Sequence, residues 1–277
     1  MSSKITTATI RQMKTEGKPI TMLTAYDYSM AKLVDEAGID MILVGDSLAN
    51  TMLGYDSTLP VTMDEMVHHV KAVCRGTERA MVVADLPFMS YQVSKKEALR
   101  NSGRFLKEST ASAVKLEGGR EIAETVRAIV NAGIPVVGHL GLTPQSVHQM
   151  GGYKVQGKDE TAAKTLLADA RCLEEAGAFC LVLECVPTPL AKMVTESLGI
   201  PTIGIGAGPH CDGQVLVIHD MLGLYPRQSP KFVKKYINLH ESIAAVLKQY
   251  KEEVSAGTFP GPEHCFSMSE EVLKKLY

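Results

Sequence analysis

Residues 113–139 read AVKLEGGREIAETVRAIVNAGIPVVGH, and this stretch contains one complete repeat of the predicted fold. The short apolar runs Ala113–Leu116 and Pro135–His139 are typical of parallel strands that are buried on both faces. Between them, Arg120–Asn131 reads as a helix. Gly133 follows this helix, and glycine readily takes the left-handed conformation that closes a helix. The stretch therefore predicts a strand–helix–strand unit with parallel strands.

The same unit recurs along most of the 277 residues. Other short runs share the apolar, β-branched character. The first and last begin at Thr21 and Val215, so the repeats average about 28 residues each. That length suits one strand, one helix and two short loops. The predicted strands are Thr21–Ala25, Met41–Gly45, Ala80–Ala84, Ala113–Leu116, Pro135–His139, Phe179–Glu184, Pro201–Ile205 and Val215–His219.

Eight near-regular repeats favour a closed (β/α)8 barrel, a TIM barrel, over an open doubly wound sheet. The seventh connection, Gly206–Gln214, is too short for a full helix and departs from the pattern. The overlapping run Gly204–Gly208 is consistent with either a phosphate loop or a tight turn that needs glycine. No linker divides the chain, so residues 1–277 are predicted to form a single α/β domain.

Segments at both termini lie outside the repeats. Residues 6–16 are predicted to form a helix within the N-terminal segment 1–19. Val233–Lys251 is predicted as the final helix, and residues 255–277 as a loop followed by a short helix.

Composition excludes several classes of protein. Hydrophobic residues make up 45% and charged residues 22%, which indicates an ordinary folded chain and excludes a disordered one. The net charge of −2 gives no indication of nucleic-acid or membrane-surface binding, and no apolar run is long enough to span a bilayer. The six cysteines include no C-x-x-C pair, so we expect buried, reduced thiols and a cytoplasmic location.

Charged or titratable residues follow the apolar part of five neighbouring strands. Side chains alternate along a strand, so four of these residues share a face with the valine two positions earlier. If those valines point into the barrel, the polar groups line its C-terminal mouth, where barrel enzymes have their active sites. The groups are Asp46, Asp85, Lys115, Glu117, His139 and Glu184.

Four of these groups are carboxylates, which repel one another unless positive charge lies among them. Lys115 supplies one such charge, and a divalent cation is the obvious second source. Oxygen donors with few nitrogen or sulfur atoms suit Mg²⁺ or Mn²⁺ better than zinc. We predict Asp46 and Asp85 as direct ligands and Glu117 as a ligand that binds directly or through water. Glu184 then remains as a candidate base.

Two further residues have more than one interpretation. His139 is predicted either to bind a substrate oxygen or to be a structural histidine. Ser47 is predicted either to donate to a substrate carboxylate or to serve as a turn or cap residue.

An ordered series of motifs over roughly residues 20–266 resembles the ketopantoate hydroxymethyltransferase family. Ala49-Asn50 replaces the more usual Gly-Met of that family, and the tail after Met268 has no recognised counterpart. Neither departure touches the candidate residues. The motifs are Thr24-Ala25-Tyr26-Asp27, Gly45-Asp46-Ser47-Leu48, Asp56–Thr62, Asp85-Leu86-Pro87-Phe88-Met89, Lys115–Gly119, Gly138–Gln145, Leu183–Pro187, Gly204–Gly208 and Asp212–Val217.

The resemblance implies a cytoplasmic, homodecameric barrel enzyme of pantothenate synthesis with one Mg²⁺ per subunit. Its reaction would transfer a one-carbon unit from 5,10-methylenetetrahydrofolate to 3-methyl-2-oxobutanoate, with Glu184 as the proton acceptor. The implied metal ligands are Asp46, Asp85 and Glu117, and the predicted substrate contacts are Asp46, Ser47, Asp85, Lys115 and His139.

Other functions remain open from the residues alone. A metal-dependent aldolase or lyase acting on another 2-oxo acid would use the same site without folate. Lys115 as a Schiff-base nucleophile is a further alternative, although the nearby Glu117 argues for a charged, ion-paired lysine. A non-catalytic module that binds an oxo acid is the alternative from outside the enzymes.

Overall fold

The computed structural model describes residues 3–225 and 230–276, so residues 1, 2 and 277 of the predicted terminal segments lie outside it. The described residues fall into two compact units. One comprises residues 3–218 and 230–233, and the other comprises residues 219–225 and 234–276. That the whole chain is a single domain stays a prediction.

The first unit is built on eight parallel strands that close into a barrel, which confirms the predicted fold. The strands lie in chain order around the barrel, and the first pairs with the last through Met22 and Val215. The strands are β1 (Ile20–Thr24), β2 (Met41–Val44), β3 (Met81–Asp85), β4 (Ala113–Glu117), β5 (Val136–Gly141), β6 (Cys180–Glu184), β7 (Thr202–Ile205) and β8 (Gly213–Leu216).

Helices lie between most of these strands, and short 3₁₀ turns occur at Arg120–Ile122, Pro144–Ser146 and Pro262–His264. None of the helices in the described ranges combines the length and apolar character that crossing a bilayer requires. The helices are α1 (Thr7–Thr15), α2 (Tyr28–Glu36), α3 (Leu48–Thr51), α4 (Met63–Gly76), α5 (Lys95–Ser109), α6 (Ala123–Asn131), α7 (Val147–Met150), α8 (Glu160–Glu175), α9 (Thr188–Ser197), α10 (Ile218–Met221), α11 (Leu239–Ala256) and α12 (Glu270–Leu273).

The predicted N-terminal helix is confirmed as α1, and it closes the N-terminal end of the barrel. The Thr6 side chain caps α1 by accepting a hydrogen bond from the backbone N–H of Thr9. Ile5 and Ile10 are buried in one cluster with interior residues of the strands. Burying each aliphatic side chain contributes about 1.5–3 kcal/mol, so α1 is part of the barrel core. The strand residues of this cluster are Ile20, Met22, Met41, Leu43, Met81, Val83, Ala113, Val137, Cys180, Val182, Ile203 and Val215.

The seventh connection contains no helix, as its length predicts; every residue from 206 to 212 is described. Gly206 and Gly208 have φ angles of 65° and 82°, in the left-handed region that favours glycine. A Cβ at Gly208 would also overlap the Thr188 side chain. These features favour the tight turn over the phosphate loop.

The predicted bounds of the final helix are wrong, because Val233–Lys251 is shifted relative to α11. The backbone N–H groups of Tyr236 and Leu239 donate to the carbonyls of Met221 and Leu222, so helical bonding begins only after these residues. The helix ends at Ala256, and Gly257 follows it with a φ of 68°, the left-handed conformation with which glycine closes a helix. The predicted short C-terminal helix is present as α12.

All six cysteines lie in the described residues and are free thiols. The expectation that they are buried holds fully for Cys180 alone. Cys265 is exposed, and the remaining four are half-buried.

Candidate active site

The carboxyl ends of β3 to β6 bring most of the predicted site residues together. Val83, Ala113, Val137 and Val182 belong to the barrel interior, so the residues two positions later also point inwards. Pairing between β3 and β4 sets Asp85 opposite Lys115. Pairing between β4 and β5 sets Glu117 opposite His139. The predicted convergence at the C-terminal mouth is therefore formed on these four strands.

Asp46 reaches the same place by another route, and its predicted strand face is wrong. In β2 it is Leu43 that lies in the barrel interior, so Val44 faces outwards. The strand ends at Val44, and the turn that follows carries Asp46 over the mouth. The backbone N–H of Asp46 donates to Oδ2 of Asp85 at 3.0 Å, which fixes the turn beside the neighbouring strand.

Gly45 makes room for this turn. A Cβ at Gly45 would lie 2.9 Å from Oγ of Ser47 and 3.3 Å from Oδ2 of Asp85, so a larger residue would displace one of them. Ser47 precedes α3 but makes no side-chain cap hydrogen bond. Its Oγ lies 2.8 Å from the hydroxyl of Tyr26 instead. Ser47 therefore lies in the predicted turn, but its side chain does not cap α3, and its role toward substrate stays a prediction.

Lys115 is a buried cation at the centre of the cluster. Its Nζ lies 2.9 Å from Oδ1 of Asp85 and 3.0 Å from Nδ1 of His139. Burial opposes the charge, but Asp85, Glu117 and Asp46 outweigh that effect and raise the pKa of Lys115. A lysine held protonated is a poor nucleophile, which argues against a Schiff base at this position.

His139 has a protein partner at each ring nitrogen. Nδ1 faces the Lys115 ammonium, so it accepts that hydrogen bond and the proton lies on Nε2. Nε2 donates to the carbonyl of Leu142 at 2.9 Å and lies 3.4 Å from Oε2 of Glu184. Burial and the Lys115 charge lower the pKa of His139. These contacts favour the structural interpretation, and the contact with substrate stays a prediction.

Glu184 is the most open carboxylate of the group. Its side chain is 16% exposed, against 3% for Glu117 and 4% for Asp85. It ends β6, and the next residue, Cys185, has a φ of 50°, a conformation rare outside glycine that turns the chain away. A carboxylate at the edge of a buried cluster is accessible to a bound small molecule, which suits a base.

The ionised forms of the buried carboxylates would carry more negative charge than Lys115 neutralises. Burial and the neighbouring Asp85 raise the pKa of Asp46 to about 7. Burial and Asp46 also raise the pKa of Glu117. Within the described residues, Oδ1 of Asp85 has no hydrogen-bond partner of good geometry besides its ion-pair contact with Lys115. These groups have the hard oxygen donors and excess charge that suit Mg²⁺.

A ready coordination sphere is not formed by the side chains as they stand. In residues 3–225 and 230–276, no three His, Cys, Asp or Glu side chains are placed to hold a metal ion together. The fit to a cation is therefore one of donor chemistry and charge.

Rising pH is expected to destabilise the metal-free protein between about pH 4 and pH 7. The folded-state pKa of Asp46 lies near 7, above its ordinary value of 3.8, so the folded state binds the extra proton in this interval. The stabilisation is complete below the ordinary pKa and is lost as pH rises through 7. Glu117, whose pKa is also raised, acts in the same direction.

Urea unfolding in EDTA at several pH values measures this effect. Asp46→Asn removes one titrating group, so the free energy of unfolding of this variant should fall less steeply with rising pH over the same interval. Equal slopes for Asp46→Asn and the unchanged protein would contradict the prediction.

Three uncharged residues of the site are missed by reasoning from charge alone. Gln145 donates from Nε2 to Oδ2 of Asp46 at 2.9 Å and from its backbone N–H to Oε2 of Glu117 at 3.0 Å. Tyr91 donates from its hydroxyl to Oε1 of Gln145, and Tyr26 contacts Ser47. All three follow carboxyl ends of strands, which is the signal that was available.

Comparison with known proteins gives a family match over most of the chain. Residues 4–262 match the family described as ketopantoate hydroxymethyltransferase. The chain is 62% identical over 275 residues to a 3-methyl-2-oxobutanoate hydroxymethyltransferase of Syntrophomonas wolfei, covering 99% of this chain and 100% of the relative. It is 66% identical over 263 residues to the protein of the same name from Syntrophus aciditrophicus, covering 95% and 97%.

Solved structures with low sequence identity share the fold. A putative phosphonomutase from Burkholderia cenocepacia superposes with a TM-score of 0.64 at 18% identity, over 88% of this chain and 99% of that one. Phosphonopyruvate hydrolase, in a complex with oxalate and Mg²⁺, gives 0.62 at 13% identity, over 98% and 94%. At these identities the similarity is one of fold.

Proposed function

The chain belongs to the ketopantoate hydroxymethyltransferase family, and from this premise we propose how its site carries out the hydroxymethyl transfer of pantothenate biosynthesis. The acceptor is 3-methyl-2-oxobutanoate and the one-carbon donor is 5,10-methylenetetrahydrofolate, which yields ketopantoate and tetrahydrofolate. The observation that carries the proposal is the cluster of buried carboxylates around Lys115, with Glu184 at its open edge.

Asp46, Asp85 and Glu117 would hold Mg²⁺, one ion per subunit. The raised pKa values of Asp46 and Glu117 support this assignment, because burial and the repulsion of neighbouring carboxylates disfavour their charged forms and a cation among them would offset that repulsion. The cation supplies Lewis acidity at the keto oxygen of the substrate, which makes the neighbouring C3–H more acidic.

Glu184 takes the proton from C3 of the bound oxo acid. A carboxylate alone falls short of this task by on the order of 10 pKa units, or about 14 kcal/mol. Fixing Glu184 against C3 offsets part of that gap, because the carboxylate and C3 no longer have to meet by diffusion. The electron pair left on C3 forms the new carbon–carbon bond with the donor's methylene carbon. Both bonds of that carbon to folate nitrogen break, and water supplies the hydroxyl oxygen of the product. The proton taken up by Glu184 and one proton of the water pass to the two nitrogens, which leaves tetrahydrofolate.

The remaining polar groups bind and orient the acceptor. Asp46, Ser47, Asp85, Lys115 and His139 are the proposed substrate contacts. The Lys115 ammonium complements the negative charge of the oxo acid, and its contacts with Asp85 and His139 fix its position. Ser47 donates to the substrate carboxylate, and the hydroxyl of Tyr26 at 2.8 Å orients Oγ for this.

We extend the proposal to the assembly and the location of the enzyme. The family resemblance supports a homodecamer, and the six free thiols agree with a reducing, cytoplasmic compartment. Sedimentation velocity tests the assembly directly, since a decamer of this 30.0 kDa chain sediments far ahead of a dimer.

Product formation tests the proposed reaction. The enzyme is incubated with 3-methyl-2-oxobutanoate and Mg²⁺, with and without 5,10-methylenetetrahydrofolate, and ketopantoate is measured by mass spectrometry. Ketopantoate that forms only with the folate supports the proposal. Cleavage of another 2-oxo acid without folate would instead indicate an aldolase or lyase. Tight binding of the oxo acid with no turnover would indicate a binding module.

A further inference from the structure

We propose that Gln145 is a positioning residue that holds Asp46 and Glu117 in the orientation needed to bind the divalent cation. The inference rests on the proposed function, because it concerns the carboxylates assigned there to the metal. Gln145 carries no charge and lies in the 3₁₀ turn Pro144–Ser146 that follows β5.

Gln145 bonds to two carboxylates from different parts of the barrel, Asp46 in the turn after β2 and Glu117 in β4. Its Nε2 donates to Oδ2 of Asp46 at 2.9 Å, and its backbone N–H donates to Oε2 of Glu117 at 3.0 Å. Nε2 also donates to the carbonyl of Leu86 at 3.0 Å. The residue is only 5% exposed, so these bonds are made away from bulk water. Only one oxygen of each carboxylate takes part in these bonds.

The partners of Gln145 fix which way its amide points. Oε1 accepts from the hydroxyl of Tyr91 at 2.9 Å and from Nε2 of Gln92 at 3.3 Å. A flipped amide would turn its oxygen toward the Leu86 carbonyl, which is an acceptor only. Burial raises the pKa of Tyr91, so its phenol remains a donor.

Tyr91 links the amide to the strand that carries Glu117. Its hydroxyl lies 2.9 Å from the carbonyl of Glu117, and the backbone N–H of Glu117 approaches the same hydroxyl at 3.3 Å. Gln145 is thus held in place by Tyr91, and it in turn orients two carboxylates. Hydrogen bonds of this kind set the direction of metal-binding carboxylates and strengthen their binding.

Mg²⁺ binding to the metal-free enzyme tests the inference without reference to turnover. Isothermal titration calorimetry compares the unchanged protein with Gln145→Leu, Tyr91→Phe and a control, Gln156→Leu. Gln156 lies on the same side of the barrel, and among the described residues its side chain bonds only to the Lys154 carbonyl. Gln145→Leu should weaken Mg²⁺ binding by about 10–100-fold. Tyr91→Phe should weaken it by about 2–10-fold, and Gln156→Leu should leave it unchanged.

Circular dichroism establishes whether each variant folds. If Gln145→Leu does not fold, the Mg²⁺ affinity of Tyr91→Phe tests the inference. Kinetics add a second readout: the loss of activity in the variants should be recovered at high Mg²⁺. Equal Mg²⁺ affinity in the unchanged protein and the folded variants would overturn this inference alone. Absence of Mg²⁺ binding by the unchanged protein would overturn the proposed metal as well.

Discussion

Glu184→Gln is expected to slow exchange of the C3 proton of 3-methyl-2-oxobutanoate by about 10²–10⁴-fold. The amide has the size and shape of the carboxylate but cannot accept the proton. Its neighbour His139 presents Nε2 at 3.4 Å, so the substituted side chain still has a hydrogen-bond donor beside it. The fold and Mg²⁺ affinity should be retained, because the metal is assigned to other carboxylates. Exchange is followed by NMR in D₂O.

Glu160→Gln is the matched control for this variant. Glu160 is 80% exposed and pairs with Lys164 on the surface of α8. The Glu160→Gln enzyme should therefore exchange the C3 proton as fast as the unchanged protein. A Glu184→Gln enzyme that exchanges the C3 proton at a near-normal rate would refute Glu184 as the base.

Lys115→Met is expected to lower the free energy of unfolding of the metal-free protein by about 3–5 kcal/mol at neutral pH. The substitution keeps an unbranched side chain of similar length but removes a buried cation. Asp85 loses its ion-pair partner at 2.9 Å, and Asp46 and Glu117 lose the charge that lowers their pKa values. Urea unfolding in EDTA measures the loss.

Mg²⁺ should restore part of this stability, because a cation bound among the carboxylates replaces some of the missing charge. The control is Lys164→Met. Lys164 is 74% exposed in its surface pair, and its loss should change stability by no more than about 0.5 kcal/mol. A Lys115→Met protein as stable as that control would mean that the ion pair does not hold the cluster together.

The barrel was predictable because each repeat carries its own local signals. The strand Ala113–Leu116, the glycine at 133 and the strand Pro135–His139 are read from neighbours in sequence, and eight such repeats leave few alternatives. The final helix was misplaced because its start is set by hydrogen bonds to Met221 and Leu222, which local propensity does not reveal.

The charged residues of the site were predictable because strand alternation and barrel topology place them at one mouth. Asp46 was assigned the wrong strand face because Leu43, and not Val44, lies in the barrel interior. It still reaches the mouth because β2 ends at Val44 and the turn after it redirects the chain. Gln145 was noted only as the last residue of a family motif, and Tyr91 was not noted, because uncharged residues outside the strands become part of a site only through contacts with distant residues. Tyr91 and Gln145 are 54 positions apart in sequence, and the path of two loops decides that they meet.

Exchange of the C3 proton of 3-methyl-2-oxobutanoate into D₂O by the unchanged enzyme, followed by NMR, tests the central claim most directly. It is run with Mg²⁺, then with EDTA, and then with Mg²⁺ restored. The account predicts exchange with Mg²⁺ that stops in EDTA and returns with the metal. Exchange that EDTA leaves unchanged would contradict the role of the metal. No exchange under any of these conditions, even with methylenetetrahydrofolate added, would contradict proton removal at this site.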